Sequence, residues 1–176
     1  MKIREAAVAD SEIIARVHVD SWRTTYAGIL SEDYLANLSV EKRKKSWDWT
    51  FRNLNKDENI FVCEDSSGQI VGFVNGGVER SGEYPYTGEL YAIYLLKEYQ
   101  GRGIGSQLFK IMAEWLHEKG HLSMLLWVLE ANKSAGFYTR MGGQVVGDKM
   151  IKIGDDELKE LAVGWSDIRQ TVRKER

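Results

Sequence analysis

"YQGRGIGSQLF", residues 99–109, stands between an apolar run, "ELYAIYLL", and a segment whose apolar residues recur at helical spacing. Its glycines, Gly101, Gly103 and Gly105, occupy alternate positions, although glycine is costly inside a strand or a helix. The pattern therefore predicts a strand, a loop that leaves backbone amides open, and then a helix. Open amides and the positive end of a helix dipole suit an anion, and a glycine-rich curl can form an anion-binding nest.

Three ligands compete for this loop. A P-loop is excluded, because it needs a lysine directly before the serine, and Gly105 precedes Ser106. A dinucleotide-binding turn has the spacing G-x-G-x-x-G rather than G-x-G-x-G; Glu130 could imitate its ribose-binding acid, but the strands before the loop are of antiparallel type, which disfavours it. The third candidate is the pyrophosphate of coenzyme A, toward which Arg102 could add positive charge.

The segments around the loop predict a mixed α/β fold. A short strand, "KIREA", precedes three helices that begin near Asp10, Ser31 and Val40. Two strands joined by "SSG" follow, and then come "ELYAIYLL", the loop, a helix over 103–119 and the apolar strand "HLSMLLWVLE". A short helix from Asn132 and an antiparallel hairpin around "GDD" end the chain. The strand–loop–helix–strand unit predicts a crossover with two parallel strands.

Composition limits the class of protein. Residues 1–176 are expected to form a single domain, and a net charge of -2 gives no reason to expect a nucleic acid or a membrane as partner. The lone cysteine, Cys63, is expected to be a structural thiol in a reducing, cytoplasmic setting. Apolar stretches of membrane-spanning length and a signal-peptide core are both missing from the sequence. The three histidines fit no metal-ligand motif, so no metal is expected.

Two motifs carry a family resemblance. Gln100-Gly101-Arg102-Gly103-Ile104-Gly105 matches the Q/R-x-x-G-x-G/A signature of the GNAT superfamily of N-acetyltransferases. Further on, "LWVLEANKSAGFYTRMGG" resembles the second motif of that family, a strand followed by Asn, a short helix, an aromatic-Tyr pair and glycine. The resemblance covers about residues 88–145 and implies a central mixed, mostly antiparallel sheet of about seven strands, with a splayed parallel pair and flanking helices.

The resemblance also implies acetyl-CoA as cosubstrate and coenzyme A as product. The pyrophosphate would rest on loop amides, and the pantetheine arm would run beside a strand whose bulge helps it to splay, with a backbone amide near its end facing the acetyl carbonyl. The residues expected to contact the coenzyme are Ile93, Tyr94, Leu95, Gln100, Gly101, Arg102, Gly103, Ile104, Gly105, Ser106, Asn132 and Tyr138.

For the chemistry, the resemblance implies direct attack of an amine on the acetyl carbon. Tyr138 occupies the position of the family's general acid and would protonate the departing sulfur. Glu89 lies eleven residues before Gln100, an offset at which some relatives carry a catalytic glutamate, and it would act as base, alone or through an ordered water. Tyr91 is two residues further on, so its side chain shares a face with Glu89.

The acceptor is expected to bind beside Trp22, Tyr26, Glu89 and Tyr91. A small-molecule amine is favoured, because the chain has no added recognition module; a protein or peptide acceptor stays open. The alternatives are a non-catalytic sensor that binds acyl-CoA on the same fold and, least favoured, a nucleotide-binding oxidoreductase. The oligomeric state is also open, with a homodimer as one option.

Overall fold

Strands and helices follow one another in the predicted order as far as the hairpin in the computed structural model, which describes residues 1–172, and a short helix that was not predicted follows the hairpin. The last four residues of the domain predicted over 1–176 lie outside the described residues. The strands are β1 (Lys2–Glu5), β2 (Glu58–Glu64), β3 (Ile70–Val78), β4 (Gly88–Leu95), β5 (Met124–Leu129), β6 (Gln144–Ile153) and β7 (Asp156–Trp165). The α-helices are α1 (Ser11–Thr25), α2 (Glu32–Ala36), α3 (Val40–Asn53), α4 (Ile104–Glu118), α5 (Ala135–Arg140) and α6 (Arg169–Val172).

Three boundaries differ from the prediction by three residues. β5 begins at Met124 rather than at His121. α1, which the sequence predicts to end near Trp22, continues to Thr25, because the amide of Tyr26 still bonds the carbonyl of Trp22, at 3.0 Å. α5 begins at Ala135 rather than at Asn132, since the Asn132 side-chain oxygen accepts the amide of Ser134 and forms a turn before the helix.

All seven strands form one sheet in the order β1-β2-β3-β4-β5-β7-β6. Every neighbouring pair is antiparallel except β4 and β5, which are parallel. The predicted sheet is thereby confirmed. A dinucleotide site of the doubly wound kind needs a largely parallel sheet, and this topology does not provide one.

The parallel pair separates soon after it forms. β4 and β5 pair only at Gly88 with Met124 and at Glu89 with Leu125. The ladder between β4 and β3 is interrupted just beyond these residues. Leu90 and Ala92 pair with consecutive residues of β3, so Tyr91 is the extra residue of a β-bulge. Beyond that bulge the two strands diverge and leave a cleft between them, as the splayed pair of the prediction requires.

The core lies on both faces of the sheet. Phe73 of β3 packs on the side of α1 and α3 with Ile14 and Trp47, whereas its neighbour Val74 faces the side of α4 with Leu108. A strand covered on both faces is expected to be apolar throughout, which explains the run "IVGFV" in β3. Among residues 1–172, none of the helices combines the length and the apolar character needed to cross a bilayer.

Ser39 sets the start of α3, and this gives a stability prediction. Its hydroxyl oxygen accepts the amide of Lys42 at 3.2 Å, as an N-cap side chain does. Ser39→Ala is expected to lower the free energy of unfolding by about 1 kcal/mol in urea titrations followed by circular dichroism. Ser46→Ala in the exposed middle of the same helix is the control and should lower it by less than about 0.5 kcal/mol. Equal losses for the two variants would contradict the capping role.

Candidate active site

The cleft between β4 and β5 holds two adjoining cavities. One, of about 480 Å³, borders the glycine loop and is called the loop cavity; the other, of about 530 Å³, borders the β6–β7 hairpin and is called the hairpin cavity. Four residues line both cavities, and these are Ile93, Tyr94, Asn132 and Tyr138. The two cavities are therefore continuous with each other through the gap between β4 and β5.

The loop is shaped to present backbone amides to the loop cavity. Gly101 and Gly103 have φ angles of 73° and 78°, which side chains rarely tolerate, and Gly103 is the N-cap of α4 without any side-chain capping bond. The Gln100 side-chain amide donates to the carbonyl of Leu95 at 2.9 Å and ties the loop to the end of β4. The first amides of α4 are consequently free for an external acceptor.

Charge around the loop cavity favours an anion. Lys133 and Arg140 line it, and its described lining contains no acidic residue. Sequence reasoning did not select these two cations, although both lie within the second motif. An open set of helix N-terminal amides beside two cations fits a phosphate-bearing ligand.

Most of the residues expected to contact the coenzyme line the loop cavity. They are Ile93, Tyr94, Leu95, Gln100, Gly101, Gly103, Gly105, Ser106, Asn132 and Tyr138. Two others do not. The Arg102 guanidinium lies 5.4 Å from the centre of the Tyr99 ring, and Ile104 is buried in the core, where it anchors α4. Ile104 can therefore contact a ligand only through its backbone, whereas the contact of the Arg102 side chain with a phosphate stays a prediction.

Tyr138 stands where the two cavities meet. Its side chain is buried, with 7% exposed, and its hydroxyl has no hydrogen-bond partner among residues 1–172. Burial raises the pKa of this hydroxyl well above its ordinary value, and the nearby Tyr26 adds to the effect. Tyr138 therefore keeps its proton at neutral pH and has it available for a ligand.

Tyr26 and Tyr94 form a hydrogen-bonded pair beside this junction. Their hydroxyl oxygens are 3.0 Å apart, and the Tyr94 ring stacks on buried His18 with 5.0 Å between ring centres. Burial raises the pKa of both hydroxyls. Trp22 packs edge-on against Tyr26, and all three aromatic residues expected at the acceptor end, Trp22, Tyr26 and Tyr91, line the hairpin cavity.

Glu89 is engaged by an arginine that the sequence did not suggest. Its side chain is 5% exposed and accepts three bonds from Arg80: from the backbone amide at 3.0 Å, from Nε at 3.3 Å and from Nη2 at 2.7 Å. The same guanidinium lies 3.7 Å from the centre of the Tyr91 ring, and the Tyr91 hydroxyl donates to the carbonyl of Val78 at 2.7 Å. Glu89 and Tyr91 are thus close together, as predicted, but both are already partnered.

The residues that form the far wall of the hairpin cavity are also not predicted from the sequence. Trp127, Lys149 and Glu160 line it, although the apolar run "HLSMLLWVLE" predicts that protein covers both faces of β5 and that Trp127 faces the core. That expectation is wrong, because one face of β5 near its end is the floor of the cavity. Lys149 and Glu160 lie in strands whose alternation of charged and apolar residues marks one face, but only the pairing of β7 with β5 brings that face to the cleft.

The loop over residues 79–87 closes this cavity from the side. Arg80 and Ser81 line it, and the Tyr84 ring packs on Trp127 with 5.9 Å between ring centres. A Cβ atom at Gly147 would collide with the Tyr84 hydroxyl, and one at Gly164 would collide with the Tyr86 ring. The two glycines of the hairpin therefore leave the space in which the two loop tyrosines sit.

Comparison with known proteins points to one family. The family model described as "Acetyltransferase (GNAT) family" matches residues 20–143. Uncharacterized N-acetyltransferase YuaI of Bacillus subtilis (strain 168) is 42% identical over 94% of this chain and 93% of its own length. Spermidine N(1)-acetyltransferase of Thermoplasma acidophilum is 28% identical over 82% of this chain and 89% of its own length.

A solved structure agrees with the sequence matches. The PaiA N-acetyltransferase of Thermoplasma acidophilum, solved in complex with coenzyme A, superposes with a TM-score of 0.67. It is 27% identical and covers 90% of this chain and 96% of its own chain.

Proposed function

The chain belongs to the acetyltransferase (GNAT) family, and from that premise we propose that it transfers the acetyl group of acetyl-CoA directly to the primary amine of a small molecule. Acetyl-CoA would enter the loop cavity, and the amine would enter the hairpin cavity. The observation that carries the proposal is the unpartnered hydroxyl of Tyr138 at the junction of the two cavities. We propose that residues 1–176 act as one domain in this reaction.

The loop cavity fits the coenzyme. Its uncapped helix amides and its two cations, Lys133 and Arg140, suit a pyrophosphate, and the edge of β4 beyond Glu89 has no strand partner on the side of β5. An amide-bearing pantetheine arm would pair with that edge. The Thermoplasma acidophilum structure with coenzyme A, at 27% identity, supports this choice of ligand.

The transfer needs an acid and a proton acceptor. The neutral amine nitrogen forms a bond to the acetyl carbon and gives up a proton to the ordered-water path while the carbon–sulfur bond breaks, and the leaving thiolate takes a proton. Tyr138 would supply that proton, since its raised pKa keeps the hydroxyl protonated. A backbone amide near Ile93 to Leu95 would stabilise the negative charge that develops on the acetyl oxygen.

Glu89 has a narrower role in this proposal. Both of its carboxylate oxygens accept bonds from Arg80, so direct removal of a proton from the acceptor would require that ion pair to open. We therefore assign Glu89 to accepting the proton through an ordered water rather than directly. Glu89 would also hold Arg80 and the loop over 79–87 against the cavity.

A small molecule is the preferred acceptor for two reasons. The hairpin cavity is bounded on three sides by β4, the β6–β7 hairpin and the loop over 79–87, which leaves little room for a folded protein surface. One relative, at 28% identity, is named for a small polyamine, spermidine. A flexible protein N-terminus would also fit a cleft of this size and serves as the competing acceptor in the test.

The test is the release of coenzyme A thiol from acetyl-CoA in the presence of amino acids, polyamines, aminoglycosides and short peptides with free N-termini. Release that depends on both the protein and one small amine is the expected result, with protein-free and amine-free reactions as controls. Release with peptides alone would assign the chain to peptide acetylation. Binding of acetyl-CoA in calorimetry without release for any amine would contradict the proposed transfer and favour a sensor.

A further inference from the structure

Two opposite charges lie side by side in the hairpin cavity without forming an ion pair. Lys149 of β6 and Glu160 of β7 are direct partners in the antiparallel ladder, so their side chains project from the same face. Opposite charges at such positions ordinarily attract each other across the strands. Neither residue, however, is within ion-pair distance of any partner among residues 1–172.

An aromatic ring holds the lysine away from the glutamate. The Lys149 Nζ atom lies 3.7 Å from the centre of the Trp127 ring, a cation–π contact. Trp127 is opposite Ala162 in the ladder between β5 and β7, and Ala162 is two residues from Glu160. Because Lys149 is opposite Glu160 and Trp127 is opposite Ala162, the positive charge sits one ladder step away from Glu160.

The glutamate is left as the free carboxylate of the cavity. It is half-buried, and the cause of its raised pKa is mainly burial, to which the negative charge of Glu89 adds and which Lys149 opposes. Glu89 itself is neutralised by Arg80. Of the acidic side chains that line the hairpin cavity, Glu160 alone is therefore available to bind an incoming cation, within the described chain.

The order of these groups along β5 gives the ligand a direction. Glu160 is level with Leu129, at the end of β5 nearest Asn132 and the junction with Tyr138, whereas Lys149 sits over Trp127, two residues deeper. Two residues of a strand span about 7 Å. A group bound by Glu160 would thus lie near the junction, and a group bound by Lys149 would lie further inside, toward Arg80 and the point where β4 and β5 meet.

Resting on the proposed transfer to an amine, we propose that the hairpin cavity takes a zwitterionic, amino-acid-like acceptor whose ammonium group is held by Glu160 and whose carboxylate is held by Lys149. The separated charges match those of such a molecule in sign, and the reacting nitrogen is the end placed toward Tyr138. Both residues lie beyond the range 20–143 that the family model matches, in the hairpin that closes the acceptor end.

The same arrangement disfavours a polyamine. A polyamine carries several positive charges and needs several carboxylates, whereas this cavity offers one free carboxylate, Glu160, beside the cation Lys149, because Glu89 and Arg80 neutralise each other. The acceptor preference is therefore expected to differ from that of the relative named for spermidine.

The experiment measures thiol release by the full chain with saturating acetyl-CoA. L-Leucine, L-methionine and L-glutamine are each compared with their amides, and 3-methylbutylamine and spermidine serve as amines that lack a carboxylate. At least one amino acid is expected to exceed its amide about tenfold or more in kcat/KM. Lys149→Met should raise KM for that acid about 10- to 100-fold with little change in kcat, and should leave the amide unaffected. Glu160→Gln should lower kcat/KM both for that amino acid and for its amide.

Lys159→Met is the matched control. Lys159 is the neighbour of Glu160 in β7, but it pairs with Glu130 and Asp148 and does not line the cavity, so its loss should not alter the ratio of acid to amide. The inference is overturned if no acid exceeds its amide, or if Lys149→Met affects acid and amide equally. Turnover of spermidine or 3-methylbutylamine in that case leaves the transfer itself standing, whereas failure to bind acetyl-CoA in calorimetry removes the proposed function.

Discussion

Tyr138→Phe is expected to lower kcat about 100-fold while the Kd for acetyl-CoA changes less than about threefold. Proton donation by a positioned side chain contributes about 10²- to 10⁴-fold, and thiols, which ionise near pH 8.5, need less help in leaving than alcohols or amines do. The lower end of that range therefore applies. Because phenylalanine keeps the ring that packs between Phe109 and Phe137, the fold should be unchanged. Single-turnover rates and calorimetry separate the two effects.

A second tyrosine provides the control for this experiment. Tyr34 lies on α2 and lines neither cavity, so Tyr34→Phe should leave kcat within about twofold of the unchanged chain. A Tyr138→Phe variant that turns over at the normal rate would show that the sulfur takes its proton from water or from another group. A variant that loses acetyl-CoA binding instead of rate would show that Tyr138 acts as a binding residue.

Gly103→Asp is expected to weaken acetyl-CoA binding about 100-fold, which corresponds to roughly 2.7 kcal/mol. The new carboxylate would stand at the N-cap of α4, where it would accept the open amides and repel a phosphate from the same position. No heavy atom lies within 4 Å of a Cβ built at Gly103, so collision with the protein is not the cause. Calorimetric titration with coenzyme A, in buffers of low and higher salt, measures the loss.

Gly28→Asp controls for backbone strain in that experiment. Gly28 has the same φ of 78° as Gly103 and equally open space around it, but it lies in the connection after α1, outside the lining of both cavities. Both variants should lose free energy of unfolding through backbone strain, with the smaller loss at Gly103, where the new carboxylate caps α4, whereas only Gly103→Asp should lose coenzyme affinity. Equal Kd values for the two variants would remove the glycine loop from the phosphate site.

The glycine loop and Tyr138 could be predicted because each depends on a short, continuous stretch of sequence. Alternating glycines before an amphipathic segment define a helix N-terminus by local physics, and Tyr138 follows from a motif within one short helix. The position of Trp127 in the wall of the hairpin cavity could not be predicted. An apolar strand predicts cover on both faces, but it does not distinguish protein side chains from a cavity wall.

Arg80, Lys149 and Glu160 could not be predicted because they depend on the strand order. β7 lies between β5 and β6, so the last strand in sequence, rather than the next one, is the neighbour of β5. Only this order brings Glu160 level with the end of β5. The Arg80 fork depends in turn on a loop whose path is determined by two tyrosines packing on distant glycines.

Those tyrosines and glycines have a consequence for any attempt to redirect the acceptor preference. A side chain at Gly147 would expel Tyr84, and movement of Tyr84 would disturb the loop that carries Arg80 and so the partner of Glu89. Single substitutions at these hairpin glycines are therefore expected to destabilise the loop, whereas a substitution in the hairpin combined with a smaller residue in the loop avoids the collision. In a directed-evolution library, positions 84 and 147 belong to one codon set, randomised together, as do positions 86 and 164.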